Sequence, residues 1–437
     1  MKVKRIRTRS IRGINDLVLE FSPNEPTVLI GNNGSGKSSV LNSIAVPLSY
    51  FVGLVLSKIQ DEKRIDLKSN ISKPLRFLLR KRDIKNGCSE AYNEITVVHK
   101  EQEVTWSITT KIFSSEEFEI SRDFSELIPF VDSLTLQSKN SSTVSFPLLV
   151  CYPTNRGVIE IPLEIQEDSS IDETRKALIE QVNDFQESLG VRIDFESFFR
   201  WFRLLEDLEN EARRDEPEYR DMGLEAVRQA IYSLQPDLSH LRVRRSPLRM
   251  TVQKQGQELI INQLSDGEKC LLAMVGDLAR RLAIANPGLP DPLQGEGVVL
   301  IDEIELHLHP KWQRNIVPAL TRTFPNCQFI VTTHSPQVLG EVKGKVYRLK
   351  TTADGVVAES LQTYGRDSSR ILEDEMEADS RSIEIKEDLQ KLFRLIEDGD
   401  LEAARDVQRK MAEKIGDDEP EFVKAEILIR RREVLGR

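Results

Sequence analysis

The chain has 437 residues, enough for two or three domains with substantial cores. Its composition, 39% hydrophobic and 30% charged, excludes an intrinsically disordered protein. A formal net charge of −10 excludes a uniformly basic nucleic-acid binder, so any such surface has to be a local patch.

Four cysteines, Cys88, Cys151, Cys270 and Cys327, are scattered without CxxC spacing, which predicts reduced thiols and a cytoplasmic protein. The opening stretch "MKVKRIRTRSIRGINDL" is basic but lacks the continuous apolar run of a signal peptide.

In chain order, "VKRIRTRSIRG", "NDLVLEFS" and "PTVLI" read as strands, and the last enters a phosphate loop. That loop comprises Gly31, Asn32, Asn33, Gly34, Ser35, Gly36, Lys37, Ser38 and Ser39. Its glycines let successive backbone N–H groups curl around one anion, and the helix that follows adds its positive end. Lys37 is expected to reach the β- and γ-phosphates of ATP, and the Ser38 hydroxyl to ligate Mg²⁺.

Next comes "SSVLNSIAVPLSYFVGLVLS", uncharged and about long enough to cross a bilayer. Asn42, Pro47 and its position after a phosphate loop assign it instead to the inside of an α/β core, with no membrane partner.

Residues 57–146 carry short alternating runs, "EITVVHK" and "EVTWSITTKIF", expected to form a small added sheet. From 172 to 236 the pattern is helical, with Phe198, Trp201, Phe202, Leu205 and Leu208 as a packed stripe. Arg242, Arg244, Arg245 and Arg249 then crowd nine residues, either as a solvated, ion-paired face or as a phosphate-contacting patch.

"NQLSDGEKC" opens a helix whose Leu271, Leu272, Val275, Leu278 and Leu282 form an apolar face. A helix start bearing the Ser265 hydroxyl and Gly267 is an anion-binding end. "VVLIDE" is a buried parallel-strand pattern ending in Asp302 and Glu303. Carboxylates there point into the ligand crevice of an open α/β sheet. Asp302 is expected to hold Mg²⁺, and Glu303 to orient or deprotonate the attacking water.

His307 and His309 lack a third ligand at zinc-like spacing and read as loop residues before the helix begun by Pro310. The strand around Phe329–Val331 ends in Thr332, Thr333 and His334, and His334 can sense a γ-phosphate from there. Beyond about residue 380, three helical patterns follow, with Asp400 and Glu419 near starts and Gly399 and Gly416 near ends.

The order phosphate loop, insert, "LSDGEK", "VVLIDE", "TTHS" resembles the ABC-class ATPase heads of the RecF and SMC branch, with Asp266 where transporters carry glycine. The resemblance implies an α/β P-loop head with a mixed sheet, a helical insert and a helical C-terminal extension. The implied boundaries are 1–171 (N-terminal ATPase lobe), 172–240 (helical insert), 241–362 (C-terminal ATPase lobe) and 363–437 (extension). It further implies paired heads, with Ser265, Gly267 and Glu268 of one facing the γ-phosphate held by the other.

"CYPTNRGVIEIPL", "HLHPKWQ" and "TYGRDSSRILEDE" resemble stand-alone bacterial ATPases that include the PtuA subunits of Septu anti-phage systems and of related retron systems. That resemblance implies control of a partner HNH nuclease, with nucleic acid engaged through the complex. No HNH constellation can be assembled from the five histidines here. The glutamine-bearing loop of the class has no counterpart around "YPTNR". A RecF-like repair ATPase, a transporter ATPase and a nucleotide switch with little hydrolysis are the alternatives.

Overall fold

The computed structural model describes residues 1–63, 83–113, 117–140, 147–154, 195–376, 379 and 381–435. The chain divides into two compact units, Met1–Arg366 and Asp367–Arg437.

In the first unit, β1 (Lys2–Ile11), β2 (Ile14–Glu20), β4 (Glu90–His99), β5 (Gln102–Ile112) and β6 (Phe118–Asp123) form one antiparallel sheet in the order β2-β1-β4-β5-β6. The added strands therefore extend the N-terminal hairpin. A second sheet runs β14 (Gly355–Leu361), β13 (Lys345–Thr352), β3 (Thr27–Ile30), β12 (Cys327–Thr332), β11 (Gly297–Ile301), β7 (Leu148–Tyr152). All its pairings are parallel except β13 with β14, so it is a mixed sheet.

The helix α1 (Lys37–Lys63) fills the space between these sheets. Val40, Leu41, Ile44, Leu48, Phe51, Val52 and Val55 are buried with Ile95 and Trp106 of one sheet and Leu29, Leu300 and Ile330 of the other. A helix apolar on all sides is what such a double burial requires. Lys37–Val55 is long and apolar enough to cross a membrane, yet most of it is buried in protein.

Pro47 lies inside α1 and has no N–H for the Ser43 carbonyl one turn earlier. Asn93 of β4 supplies the missing donor, its Nδ2 giving a 2.8 Å hydrogen bond to Ser43 O. Thr8 Oγ1 donates to Asn93 Oδ1 at 3.0 Å, and all of Asn93 is buried. A helix defect is thus closed by a sheet residue, sparing a cost of roughly 1–3 kcal/mol for an orphaned buried carbonyl.

The helix α2 (Leu127–Asn140) packs on α1. The expected insert helices are described only from residue 195; residues 172–194, and the "CYPTNRGVIEIPL" stretch beyond Thr154, lie outside the described residues. The helices α3 (Phe195–Ala212) and α4 (Met222–Leu234) pack against α5 (Asp266–Ala285). Phe198, Trp201 and Phe202 are buried as the stripe predicts, whereas Leu208 is exposed and Phe199 takes an inward place. Glu206 and Glu209 of the same helix are also buried, on ion pairs with Arg228.

A three-stranded meander of β8 (Leu238–Arg245), β9 (Leu248–Lys254) and β10 (Gln257–Ile260) leads directly into α5. The helices α6 (Pro310–Thr323) and α7 (Pro336–Glu341) follow β11 and β12.

The second unit contains α8 (Ser368–Asp374), α9 (Ile383–Asp398), α10 (Leu401–Ile415) and α11 (Pro420–Leu435). Leu392, Ile396, Ala404, Met411, Phe422, Ala425 and Ile429 form its core. Gly399, at φ +86°, ends α9 in the left-handed conformation and Asp400 caps α10 through Ala403 N.

Candidate functional site

The sheet order places β12 between β3 and β11, so three strand ends that are far apart in sequence emerge side by side. From them issue Gly31, Asp302 and Thr333–His334. This is the carboxyl edge of a parallel sheet, where ligands of α/β proteins bind.

At the first strand end, Gly31 has φ +144°, and a Cβ there would meet the Leu349 carbonyl oxygen at 2.3 Å. Only glycine fits that close backbone approach. Asn32, Asn33 and Gly34 are exposed at the loop tip, while Ser35 is buried and its Oγ has no hydrogen-bond partner. Lys37 turns back over the loop and donates to Gly31 O (2.8 Å) and Asn32 O (3.1 Å). Burial lowers its pKa, opposed by the carboxylates of Asp302, Glu303 and Glu305. An orphaned hydroxyl and a cation held over a glycine loop fit an anion such as a polyphosphate.

Ser38 Oγ donates to Asp302 Oδ2 at 2.8 Å, joining the first and second strand ends. Thr332 of β12 donates to Asp302 Oδ1 at 2.6 Å and accepts from Glu303 N at 2.7 Å. One threonine thereby orients the carboxylate and fixes the turn that follows. Glu303 itself sits at φ +49°, a conformation costing about 1 kcal/mol for a residue with a side chain. A hydroxyl beside a carboxylate is a hard-oxygen pair of the kind that holds Mg²⁺ with phosphate oxygens.

The third strand end carries His334, whose backbone N–H donates to Glu305 Oε1. His307 is in the left-handed region at φ +64°. His309 caps α6, its Nδ1 accepting from Lys311 N at 3.2 Å.

The signature turn is built differently. Ser265 caps α5 in a capping box: its N–H and Oγ–H both donate to Glu268 Oε2, at 3.0 and 2.8 Å. Lys254 of β9 pairs with Glu268, and Gln235 donates to the Glu268 carbonyl at 3.1 Å. Ser265 and Asp266 are exposed; Gly267 and Glu268 are buried. A Cβ on Gly267 would meet the His307 carbonyl at 2.2 Å, so this turn is seated on the segment that follows Asp302.

Tyr152 forms a second link between α5 and the site. Its carbonyl accepts from Asp302 N at 2.9 Å, while its phenol donates to Asp277 Oδ2 at 3.0 Å. Asp277 is fully buried between Arg280 and Arg281; burial raises its pKa, but the two guanidiniums prevail and lower it.

Lys37, Ser38, Asp302 and Glu303 thus converge with the His334 segment at one sheet edge, whereas Ser265, Gly267 and Glu268 form a separate turn. Glu305 and Tyr152, and Thr332, which the sequence reading names only as a strand-end residue, also meet these groups without having been given a role. Three of the four clustered arginines are ion-paired: Arg242 and Arg244 both bind Glu258, at 2.9 and 2.6 Å, and Arg245 binds Glu206 and Asp207, at 3.0 and 2.6 Å, whereas the Nε of Arg249 is buried without a hydrogen-bond partner. Hydrogen bonds from Arg244 and then Arg242 hold Glu258 down at about 2.

Residues 27–340 match the family described as "AAA domain, putative AbiEii toxin, Type IV TA system". The "Retron Ec83 probable ATPase" of Escherichia coli is 28% identical, across 99% of this chain and 87% of that protein. The "Retron Vc95 probable ATPase" of Vibrio cholerae serotype O1 biovar El Tor is 31% identical, across 85% of this chain and 78% of the relative. A Septu protein PtuA from Bacillus thuringiensis is 23% identical, across 77% and 72%. Among solved structures, the SMC head domain of Thermotoga maritima has a TM-score of 0.43 at 14% identity, covering 83% of this chain and all of that one. With a family match spanning both halves of the phosphate site, this chain belongs to the AAA-domain ATPase family that includes the retron ATPases and resembles Septu PtuA.

Proposed function

We propose that this chain binds ATP with Mg²⁺ and hydrolyses it between two paired heads, as the regulatory subunit of an anti-phage defence complex. The observation that carries the reading is the 2.8 Å bond from Ser38 to Asp302, which ties the phosphate loop to the acidic strand end beside a buried lysine. Ser38 and Asp302 would hold Mg²⁺ with the nucleotide, and the ion would supply charge neutralisation at the phosphates.

The rest is the work of the chain. Lys37 leaves the loop carbonyls for the phosphates, a swap from neutral to charged acceptors that keeps its ammonium hydrogen-bonded throughout. Glu303, raised on its positive-φ turn, takes or orients the proton of the attacking water. His334 contacts the γ-phosphate, and Ser265 of the opposing head closes the site from the other side.

The retron and Septu relatives support a defence role. We further propose nuclease chemistry in a partner HNH protein, with nucleic acid engaged through that complex. Ion pairing of Arg242, Arg244 and Arg245 within the chain argues against the RecF-like alternative, which needs a free basic surface. The free cysteines suit the cytoplasm, and burial pushes the thiols of Cys151 and Cys327 up to about 12.

Mixing two inactive variants tests the paired site. Glu303→Gln should lower turnover by about 10²–10⁴-fold while retaining ATP. Ser265→Arg should abolish turnover with ATP affinity nearly intact. Combined in equal amounts, they should recover about a quarter of wild-type turnover, since a mixed two-fold pair contains one intact site. Absence of recovery in pairs that demonstrably form, or loss of ATP binding to a single Ser265→Arg head, would sink the paired-head reading.

A further inference from the structure

Glu305 stands two residues beyond Glu303 on the same turn, and the chemistry above assigns it nothing. Its backbone is held in place from both sides: Ile304 N donates to Thr332 O at 3.0 Å, and Leu308 N to Glu305 O at 2.9 Å. Ile304 is buried in the core, so the neighbouring glutamate cannot swing out by a local rotation of the strand end. One carboxylate oxygen, Oε1, accepts from the backbone N–H of His334. The other, Oε2, is buried and has no hydrogen-bond partner.

A buried carboxylate oxygen without a donor is costly, the more so for a charged group. Such atoms cluster where a ligand or a water completes the network. Glu305 is also one of the three carboxylates whose charge acts on Lys37, so it belongs to the phosphate end of the site.

We infer that Glu305 is a positioning residue of the hydrolysis site: Oε1 clamps the His334 segment, and Oε2 accepts a hydrogen bond from a water that enters with the nucleotide. The inference rests on the ATPase reading above. Its geometry divides the labour between two glutamates on one turn. Glu303, on the strained turn, meets the reacting water; Glu305, tied to the neighbouring strand, keeps β12 and the acidic turn in one arrangement and anchors the hydration shell. No bond is made or broken at Glu305.

The test separates the two oxygens. Glu305→Gln can keep an oxygen facing His334 N–H but turns the other position into a donor. Glu305→Ala loses both. With the full-length chain and Mg-ATP, Glu305→Ala should lower kcat by about 10–100-fold and Glu305→Gln by about tenfold, with KM for ATP within about twofold of wild type. Combined with His334→Ala, Glu305→Ala should add little further loss, since both act through the same segment.

Full additivity of that pair, or a Glu305→Gln enzyme with wild-type kcat, overturns the assignment. A His334→Ala enzyme with unchanged turnover instead overturns the ATPase reading of the switch residue, so the two failures are distinguishable. Thermal melting of each variant, expected to match wild type closely, separates positioning from misfolding.

Discussion

The two helix starts at Lys37 and at Ser265 are alike in sequence logic and opposite in construction. Both are glycine-bearing turns, and in both a missing Cβ lets a backbone carbonyl press in: Leu349 O against Gly31, His307 O against Gly267. The phosphate loop is left unsatisfied, with an orphaned Ser35 hydroxyl and a lysine resting on loop carbonyls. The signature turn is satisfied within itself by the Ser265–Glu268 box and by Lys254. The first keeps a buried hydroxyl and a cation turned to one loop. The second closes its polar groups on itself.

That contrast can be broken most severely at Lys37. Lys37→Ala should weaken ATP binding by at least about 100-fold, because it removes the one cation of the loop from a partly desolvated site; equilibrium binding of a fluorescent nucleotide measures it.

Gly267→Ala should show the opposite profile. The added methyl meets backbone rather than a flexible side chain, so the signature turn must lift off the 302–309 segment. We expect a loss of about 1–3 kcal/mol in chemical denaturation, a large fall in turnover and ATP affinity close to wild type. Equal loss of ATP binding would erase the distinction between the two turns.

The smallest effect belongs to Glu268→Gln. The amide can still accept from Ser265 but forfeits the ion pair with Lys254, for about 1 kcal/mol or less. Its pH dependence sharpens the comparison. Burial raises the Glu268 pKa, but Lys254 and Ser265 together lower it below the ordinary glutamate value. The cap therefore contributes fully above that ordinary value, and its contribution fades as pH falls through the lower, folded-state value. Melting curves of wild type and Glu268→Gln should converge in acid.

The residues legible in sequence are those whose chemistry admits few substitutes: the loop glycines, Lys37, Ser38, Asp302 and the Ser265–Glu268 turn. Amphipathic and alternating patterns likewise revealed α5, the added strands and the three terminal helices. The role of Thr332 was hidden, though its place at the strand end was not, because a threonine in "FIVTTHS" is an ordinary strand residue until β12 is known to lie between β3 and β11. Glu305 and Tyr152 were hidden for the same reason, since each acts on a strand end remote in sequence. Asn93 offered no sign at all that it would repair Pro47 across 46 residues of chain. Local pattern carries residue type and face; strand adjacency is a property of the whole chain.

Tyr152 deserves to be viewed as a mechanical part. An aromatic ring has no joint between its Cβ and its hydroxyl, so only χ1 and the strand backbone can alter the separation of its two anchorages. One anchorage is the backbone that fixes Asp302; the other is Asp277, locked in the interior of α5 by Arg280 and Arg281. Tyr152 therefore links α5 directly to the backbone that carries the Asp302 carboxylate. On the paired-head reading, α5 is also the helix whose tip is lent to the neighbouring head. Each head would then adjust its own timing according to how firmly its neighbour is holding on.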